Sequence, residues 1–543
     1  MPEKKPRSLT PWLIGAAVIA TGGIVAYFYL NGNFGDATSP LASAKIVPSD
    51  ALMAGTISTD PQAWAQLQKF GTPEAQTAVN QGLNEFNKQV FTDSKINYEK
   101  DIKPWLGNVM FAVIPSNSAE GGQKSSVLAV VGIKNKISAW NFANKFKSGT
   151  QTKETDYKGI KVIETGDTKK DYLAVLNNHL VWSSERKPVE LAIDTFKGQR
   201  SFASKQDAAT ILSKGVDMQN TIAQIYIPEY GNSIQKLLAN NPSTTALPQQ
   251  SLDQLKQVKS LVMGLGIDND GLRMKAIGKV DPSLIQVEYK PSPGKVVSQF
   301  PLETIALISG HGISTGWSVF VNQAKNDAQI QQQLEQTKQQ LKTTYNLDLD
   351  KDVFSWMNGE FALGAIASNQ GLLEPIGVGG ALVLKTSDRA TAEATFAKLD
   401  EIAKTNQISI SQRDIQGKTI TEWKLPNEQT WLGHGWLDRE SVFVAVGQPI
   451  IDVMATNSSG LNSGESFKAI TSSLQQPNVG YFYIDVEKLM MLVNRHLPEP
   501  QKTAIPPETT AILNSIRGIG ITANQPDRST SNVEMLLALK RKV

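Results

Sequence analysis

One block of sequence occurs twice, and that repetition limits what the chain can fold into more than any other feature. Asp101-Ile102-Lys103-Pro104-Trp105-Leu106-Gly107-Asn108-Val109-Met110-Phe111-Ala112 returns about 250 residues later as Asp352-Val353-Phe354-Ser355-Trp356-Met357-Asn358-Gly359-Glu360-Phe361-Ala362. In each copy an acid precedes a tryptophan by four residues, and a glycine-containing turn then leads into an apolar strand. Similarity at a fixed offset signals a duplicated unit. The expected architecture is therefore an N-terminal membrane anchor followed by two copies of one α+β module.

The order of elements supports this. In the first half, Ala51–Ile57 reads as a strand. Ser58, Thr59 and Asp60 are N-cap candidates, with Pro61 just inside the next helix. Val79, Leu83, Phe86 and Val90 share one helical face. Strands are expected at 109–115, 126–133, 160–163 and 222–227, and helices at 139–146 and 189–196. Hairpins are expected around Asn177-Asn178 and around Asp268-Asn269-Asp270-Gly271, where Asn, Asp and Gly tolerate positive φ. Lys290-Pro291-Ser292-Pro293-Gly294 marks a joint, after which the order repeats. Ile313-Ser314-Thr315 matches Ile57-Ser58-Thr59, and Ile330, Leu334, Thr337 and Leu341 repeat the helical face. Gly417 answers Gly159, and Tyr481–Ile484 answers Gln224–Ile227. Hairpin-linked strands with helices at uneven intervals predict α+β modules, each a largely antiparallel sheet with packed helices. The expected boundaries are 45–285 for the first module, 286–300 for a linker and 301–543 for the second.

Ahead of the modules, no charged residue occurs between Pro11 and Leu30. About 20 apolar residues just cross a bilayer core. Trp12, Tyr27 and Tyr29 suit the two interfaces, and Lys4, Lys5 and Arg7 keep residues 1–10 in the cytoplasm. Residues 11–30 are thus read as a transmembrane anchor and 31–44 as a flexible tether. A cleaved signal peptide ending near Ala44 is the rival reading, but the apolar run is longer than a usual signal core. Either way the body lies outside the cytoplasm. The net charge is +3, and +2 of it sits in the first ten residues, so the body lacks the basic face a nucleic-acid partner needs. The chain has no cysteine, which removes disulfides, thiol catalysis and thiolate metal sites.

Several of these stretches resemble domain-of-unknown-function family 3352: the anchored N-terminus, Val47-Pro48-Ser49-Asp50-Ala51, Ile57-Ser58-Thr59-Asp60, Asp101–Gly107 and the Tyr157-Lys158-Gly159 turn. The resemblance covers nearly the whole chain. It implies a cyanobacterial plasma or thylakoid membrane, and it brings no activity and no catalytic residues.

The candidate chemistry has a structural counterpart at every position. Gly312-Ile313-Ser314-Thr315-Gly316 has the form of a G-x-S-x-G nucleophile elbow, yet the matching Thr56–Asp60 lacks both glycines, and helix capping accounts for Ser-Thr in both copies. Asn346, Asp348, Asp350 and Asp352 alternate like calcium-loop ligands, echoed by Asn97, Glu99 and Asp101, but the loop glycine and the final Glu are missing, so helix capping is favoured. Gly121-Gly122-Gln123-Lys124-Ser125 fails the phosphate-loop spacing. Gly264-x-Gly266 and Gly518-x-Gly520 read as places where a backbone is approached closely. His179, His311, His434 and His496 show no metal-ligand spacing. Trp105 and Trp356 read as core or interface anchors rather than ligand platforms. No catalytic, cofactor-binding or metal residue is therefore assigned, and no cofactor is expected. The expected function is a membrane-anchored, non-enzymatic binding or scaffold protein in the periplasm or thylakoid lumen, with a protein partner and no nucleic acid. The alternative is a carrier of lipid or a small apolar ligand in an apolar cavity between a curved sheet and its helices, which many large apolar residues on the concave face would favour. A hydrolase using Ser314 is a remote third.

Overall fold

The computed structural model describes residues 39–79, 81, 98–117, 123–149, 152–166, 170–239, 249–283, 290–457, 459–496 and 505–542. The expected anchor at 11–30, most of the tether, Leu83, Phe86, Val90, Asn97 and Gly121-Gly122 lie outside them. Among the described residues no helix is long and apolar enough to cross a membrane. The chain divides into two compact units, residues 1–283 with 541–543, and residues 284–540. Both are α+β, and every strand pair within them is antiparallel.

The first unit contains β1 (Met53–Ile57), β2 (Leu106–Asn117), β3 (Gln123–Ile133), β4 (Thr152–Tyr157), β5 (Ile160–Thr165), β6 (Asp171–Leu176), β7 (His179–Ser183), β8 (Thr221–Pro228), β9 (Val258–Ile267) and β10 (Gly271–Val280). Their pairings give the spatial order β4-β5-β6-β7-β3-β2-β1-β8-β9-β10. The second unit contains β11 (Thr304–His311), β12 (Glu360–Ala367), β13 (Val378–Lys385), β14 (Ser409–Ile415), β15 (Lys418–Lys424), β16 (Thr430–Trp436), β17 (Ser441–Val446), β18 (Tyr481–Asp485), β19 (Ile516–Asp527) and β20 (Thr530–Leu539). Their order is β14-β15-β16-β17-β13-β12-β11-β18-β19-β20, the same topology strand for strand.

Local chemistry repeats with it. At the β4–β5 turn Lys158 (φ 53°) and Gly159 (φ 76°) are left-handed, as are Gln416 (φ 51°) and Gly417 (φ 79°) at the β14–β15 turn. The carboxylates of Asp156 and Asp414 accept the N–H of Gly159 (3.1 Å) and of Gly417 (3.0 Å). Two consecutive left-handed residues match the twist of a two-residue hairpin.

The first face of each sheet carries the main core. In β2 the residues Met110, Ala112 and Ile114 point into it and meet Val189 and Ile193 of a helix at Arg186–Phe196. In the second unit Ala362, Val383 and Phe443 meet Ile450 and Ile451 of Gln448–Thr456 and Ile470 of Glu465–Thr471. The glycine pairs are close-approach sites, as expected: a Cβ on Gly264 would come within 2.3 Å of Val216, and one on Gly518 within 2.1 Å of Ile470. Of the stretch read as a linker, Val296, Val297 and Phe300 are buried in the second unit's core.

The repeated tryptophans clamp a helix to the opposite face. A single π-helical turn precedes each, at Tyr98–Ile102 and Leu349–Phe354. Trp105 Nε1 donates to the Asp101 carbonyl (2.8 Å) and Trp356 Nε1 to the Asp352 carbonyl (3.0 Å). The same acids reach a lysine on the packed helix: Asp101 pairs with Lys145 of α1 (Lys136–Gly149), and Asp352 with Lys398 of α2 (Arg389–Thr405), the latter at 2.7 Å. The rings then meet Phe142 (5.3 Å between centroids) and Phe396 (6.0 Å).

The structure departs from the sequence expectation in two places. Ala54 faces Tyr226 and Leu307 faces Tyr483, so strand register sets Ile57 against Gly310, not against Ile313. Ser-Thr capping also fails as a shared feature. Asp60 is the N-cap of Pro61–Ala65 through its carboxylate, whereas Gly312 (φ 76°) starts Ile313–Ala324 with no side-chain cap.

Removing the buried ring should therefore cost far more than removing the ion pair. Trp356→Ala is expected to destabilise the second unit by about 3–5 kcal/mol. Asp352→Asn keeps the backbone acceptor and should cost about 1 kcal/mol or less, since Lys398 is more than a third exposed. Urea unfolding of each variant checks this. The hydrogen bond from Lys398 holds the Asp352 carboxyl below the usual aspartate range. Its contribution should be complete above the unfolded aspartate value and fade as pH falls through the lower folded one.

Candidate functional site

The most unusual surface is the second face of the sheet in the unit spanning 284–540. An antiparallel strand with one wet face alternates apolar and polar residues. Phe361-Ala362-Leu363-Gly364-Ala365-Ile366-Ala367 and Met535-Leu536-Leu537-Ala538-Leu539 do not alternate. Register shows the consequence. Leu382, Leu363, Ile308, Phe482, Ile521 and Met535 stand directly opposite one another across six adjacent strands, β13-β12-β11-β18-β19-β20. A second row beside it runs Gly380, Ala365, Ala306, Ile484, Ile519 and Leu537. Five interstrand steps make the row roughly 24 Å long. Leu363 is 52% exposed, Ile308 46% and Phe482 38%. The helix Val486–His496 packs against β19, β11 and β18, and the three side chains keep these exposures beside it. Contiguous exposed apolar side chains of this kind are candidates for a binding surface.

The corresponding row of the first unit is Trp182, Ala129, Phe111, Gly55, Ile225, Met263 and Ala276. It too is apolar, but its large side chains are only part-exposed, and Gly55 takes the place of Ile308.

The units also differ beside the tryptophan clamp. In the first, an apolar pocket of about 70 Å³ opens between α1 and the sheet, walled by Trp105, Phe142, Ile163, Leu173, Val175 and Leu180. That is roughly half the volume of a cavity that holds benzene, so it fits a single apolar side chain or the end of an acyl chain. In the second unit larger rings occupy the same place. Val162 faces Ala174 and Ile420 faces Gly435, which sets His434 at the position of Leu173 and Trp436 at that of Val175. His434 Nε2 lies 2.9 Å from Asp400 Oδ1, Trp423 Nε1 donates to the same oxygen at 2.7 Å, and the imidazole stacks on Phe396 at 4.6 Å. Arg389 covers the Trp436 ring at 4.1 Å.

The residues singled out by sequence are dispersed. Ser314 sits in the first turn of Ile313–Ala324, and its N–H donates to the Met357 carbonyl (3.0 Å). Among the described residues no histidine or carboxylate bonds its hydroxyl. Asp348 caps the π-helical turn through the N–H groups of Asp350 and Lys351, Asp350 receives Trp317 Nε1 and Lys338, and Asp352 receives Lys398, so these acids are matched by cations and N–H donors. Asp268 accepts the N–H groups of Asp270 and Gly271 and closes the β9–β10 hairpin. His179 starts β7, His311 ends β11, His434 lies in β16 and His496 ends Val486–His496. Among the described residues no cluster of His, Asp and Glu could hold a metal ion. Sequence reading missed the apolar face, although the unalternating strands were its signal.

The family profile described as "Protein of unknown function (DUF3352)" matches residues 12–539. No curated protein matches the chain. Solved structures of TP0453 are remotely similar. Crystal form IV shares 10% identity over 44% of this chain and 79% of that one (TM-score 0.25), and crystal form III shares 12% over 45% and 81% (TM-score 0.26).

Two outcomes follow from this geometry. Replacing Ile308 and Leu363 with serine should abolish binding of a fluorescent apolar probe while moving thermal stability little, because both side chains are already half in water. His179, by contrast, is buried, and its Nε2 meets no hydrogen-bond partner. Burial pulls its imidazole below the ordinary value. Unfolding lets it charge, so stability should fall as pH drops below about 6.5, and His179→Leu should flatten that dependence in acid unfolding curves.

Proposed function

Because the chain belongs to the DUF3352 family, whose description assigns no activity, we propose from its geometry that it is a membrane-tethered, non-enzymatic binding protein. Its ligand is apolar and lies along the open sheet face of the second unit. The observation that carries this is the row Leu382–Leu363–Ile308–Phe482–Ile521–Met535, an uninterrupted apolar strip with its three central side chains open. Its length exceeds the roughly 15 Å depth of the hydrocarbon in one bilayer leaflet, so an acyl chain can lie along it. Residues 11–30 hold the protein in the membrane, with Lys4, Lys5 and Arg7 in the cytoplasm and the body in the periplasm or thylakoid lumen. No catalysis belongs to this reading, since Ser314 lies inside a helical turn rather than on a strained elbow.

A scaffold role with a protein partner is the second reading. It is favoured by the 70 Å³ pocket of the first unit, which suits one apolar anchor side chain of the kind that dominates binding energy in protein interfaces.

A photoactivatable fatty acid, supplied to the full chain in its native membrane and mapped by peptide mass spectrometry, separates the two. Crosslinks on peptides of β11, β12 and β18 are expected. Crosslinks confined to residues 11–30, with a protein captured from a probe placed at Val175, would replace the carrier reading with the scaffold one.

A further inference from the structure

We infer that the outer face of α1, built on Ile137 and Trp140, docks on an anionic lipid surface. Ile137 is 75% exposed and Trp140 66%, the two highest values among the large apolar side chains described. They lie three residues apart and so share one face of the helix. The opposite face, with Ala139, Phe142 and Ala143, closes over the Trp105 pocket.

The second copy acts as an internal control. The Asp101–Lys145 and Asp352–Lys398 pairs, with Ala139 and Ala392 each packed in its tryptophan cluster, superimpose α1 on α2. Ile137 then corresponds to Ala390 and Trp140 to Glu393, and Glu393 pairs with Arg389 at 2.7 Å. In the second copy these exposed positions therefore carry a small residue and a charged one. Nothing in the clamp requires an exposed indole there.

The charges favour a lipid surface. Helix α1 carries Lys136 and Lys145, the latter paired with Asp101, and no acid of its own, whereas α2 balances Arg389, Lys398 and Lys404 with Glu393, Asp400 and Glu401. Lys103 and Lys134 add positive charge beside the start of α1. Burial, and then the charge of Lys103, pull the Lys134 ammonium down to about 8. An indole among lysines is the side-chain combination that settles at a bilayer interface. Reach adds to this, and here the inference rests on the anchor reading. Eight residues separate Leu30 from Ser39, the first described residue of the first unit. Fully extended they span at most about 29 Å, so the first unit stays close to the bilayer.

The test uses the full chain. Having no cysteine, it takes a unique fluorophore at Asn141→Cys, one residue from Trp140, with Ala394→Cys as the matched site on α2. In vesicles of equimolar phosphatidylglycerol and phosphatidylcholine, lipid-borne doxyl groups should quench the label at 141 and not the one at 394. Adding Ile137→Ala with Trp140→Glu, the residue types the second copy tolerates, should abolish that quenching while the circular dichroism spectrum is kept. A label at 141 reached equally well by aqueous iodide with and without vesicles would overturn the proposal. So would quenching undiminished in pure phosphatidylcholine, or protection seen only in native membranes, which would point to a protein partner. Flotation separates the two readings: if the anchor is wrong but α1 docks, the double variant stops floating with vesicles while the parent floats.

Discussion

Each unit depends on one contact, the indole N–H of a tryptophan held by the backbone carbonyl of an aspartate four residues earlier. The bond closes a π-helical turn and drives the ring under a helix, and the same aspartate's carboxylate reaches the helix lysine. One residue therefore fixes a turn through its main chain and a helix through its side chain. The buried ring supplies most of the stabilisation, because the ion pair is partly in water. This explains why the acid and the tryptophan keep their spacing in both copies while most of the surrounding residues differ.

The clamp occupies only one end of the second sheet face, and the two copies use the remainder differently. The second unit has filled its clamp region with His434, Asp400 and Trp423, and set Arg389 over Trp436. Its apolar character lies instead along the strip through Ile308, Leu363 and Phe482. The first unit has the reverse arrangement. Its strip is less exposed and is interrupted by Gly55, while the region around Trp105 keeps an apolar pocket and an exposed indole. Duplication thus supplied one topology twice, and side-chain exchange at facing positions gave each copy its own surface.

The repeat, the hairpins at Asn177-Asn178 and Asp268–Gly271, and the mixed α+β character were legible because they rest on local chemistry: left-handed turn residues, a fixed acid–tryptophan spacing and strand-length apolar runs. The alignment of Ile57 with Ile313 went wrong for a matching reason. Three shared residue types lay near a strand end, but the register is set by partners such as Tyr226 and Tyr483, which are far away in sequence. The acidic run at 346–352 has the spacing of a ligand set, but the capping reading is the better one: Asp348 caps the helical turn, and lysines from two other helices meet Asp350 and Asp352.

The sequence alone determined that there are two copies of one unit, where the chain turns, and that an uncharged span precedes them, since each of these follows from neighbours within a few residues. Which apolar residues face water was decided only in three dimensions. Ile308 and Leu307 are equally apolar and adjacent, yet Leu307 is 2% exposed and Ile308 46%. The pleat sends them to opposite faces, and only the packing of distant helices determines which face is covered.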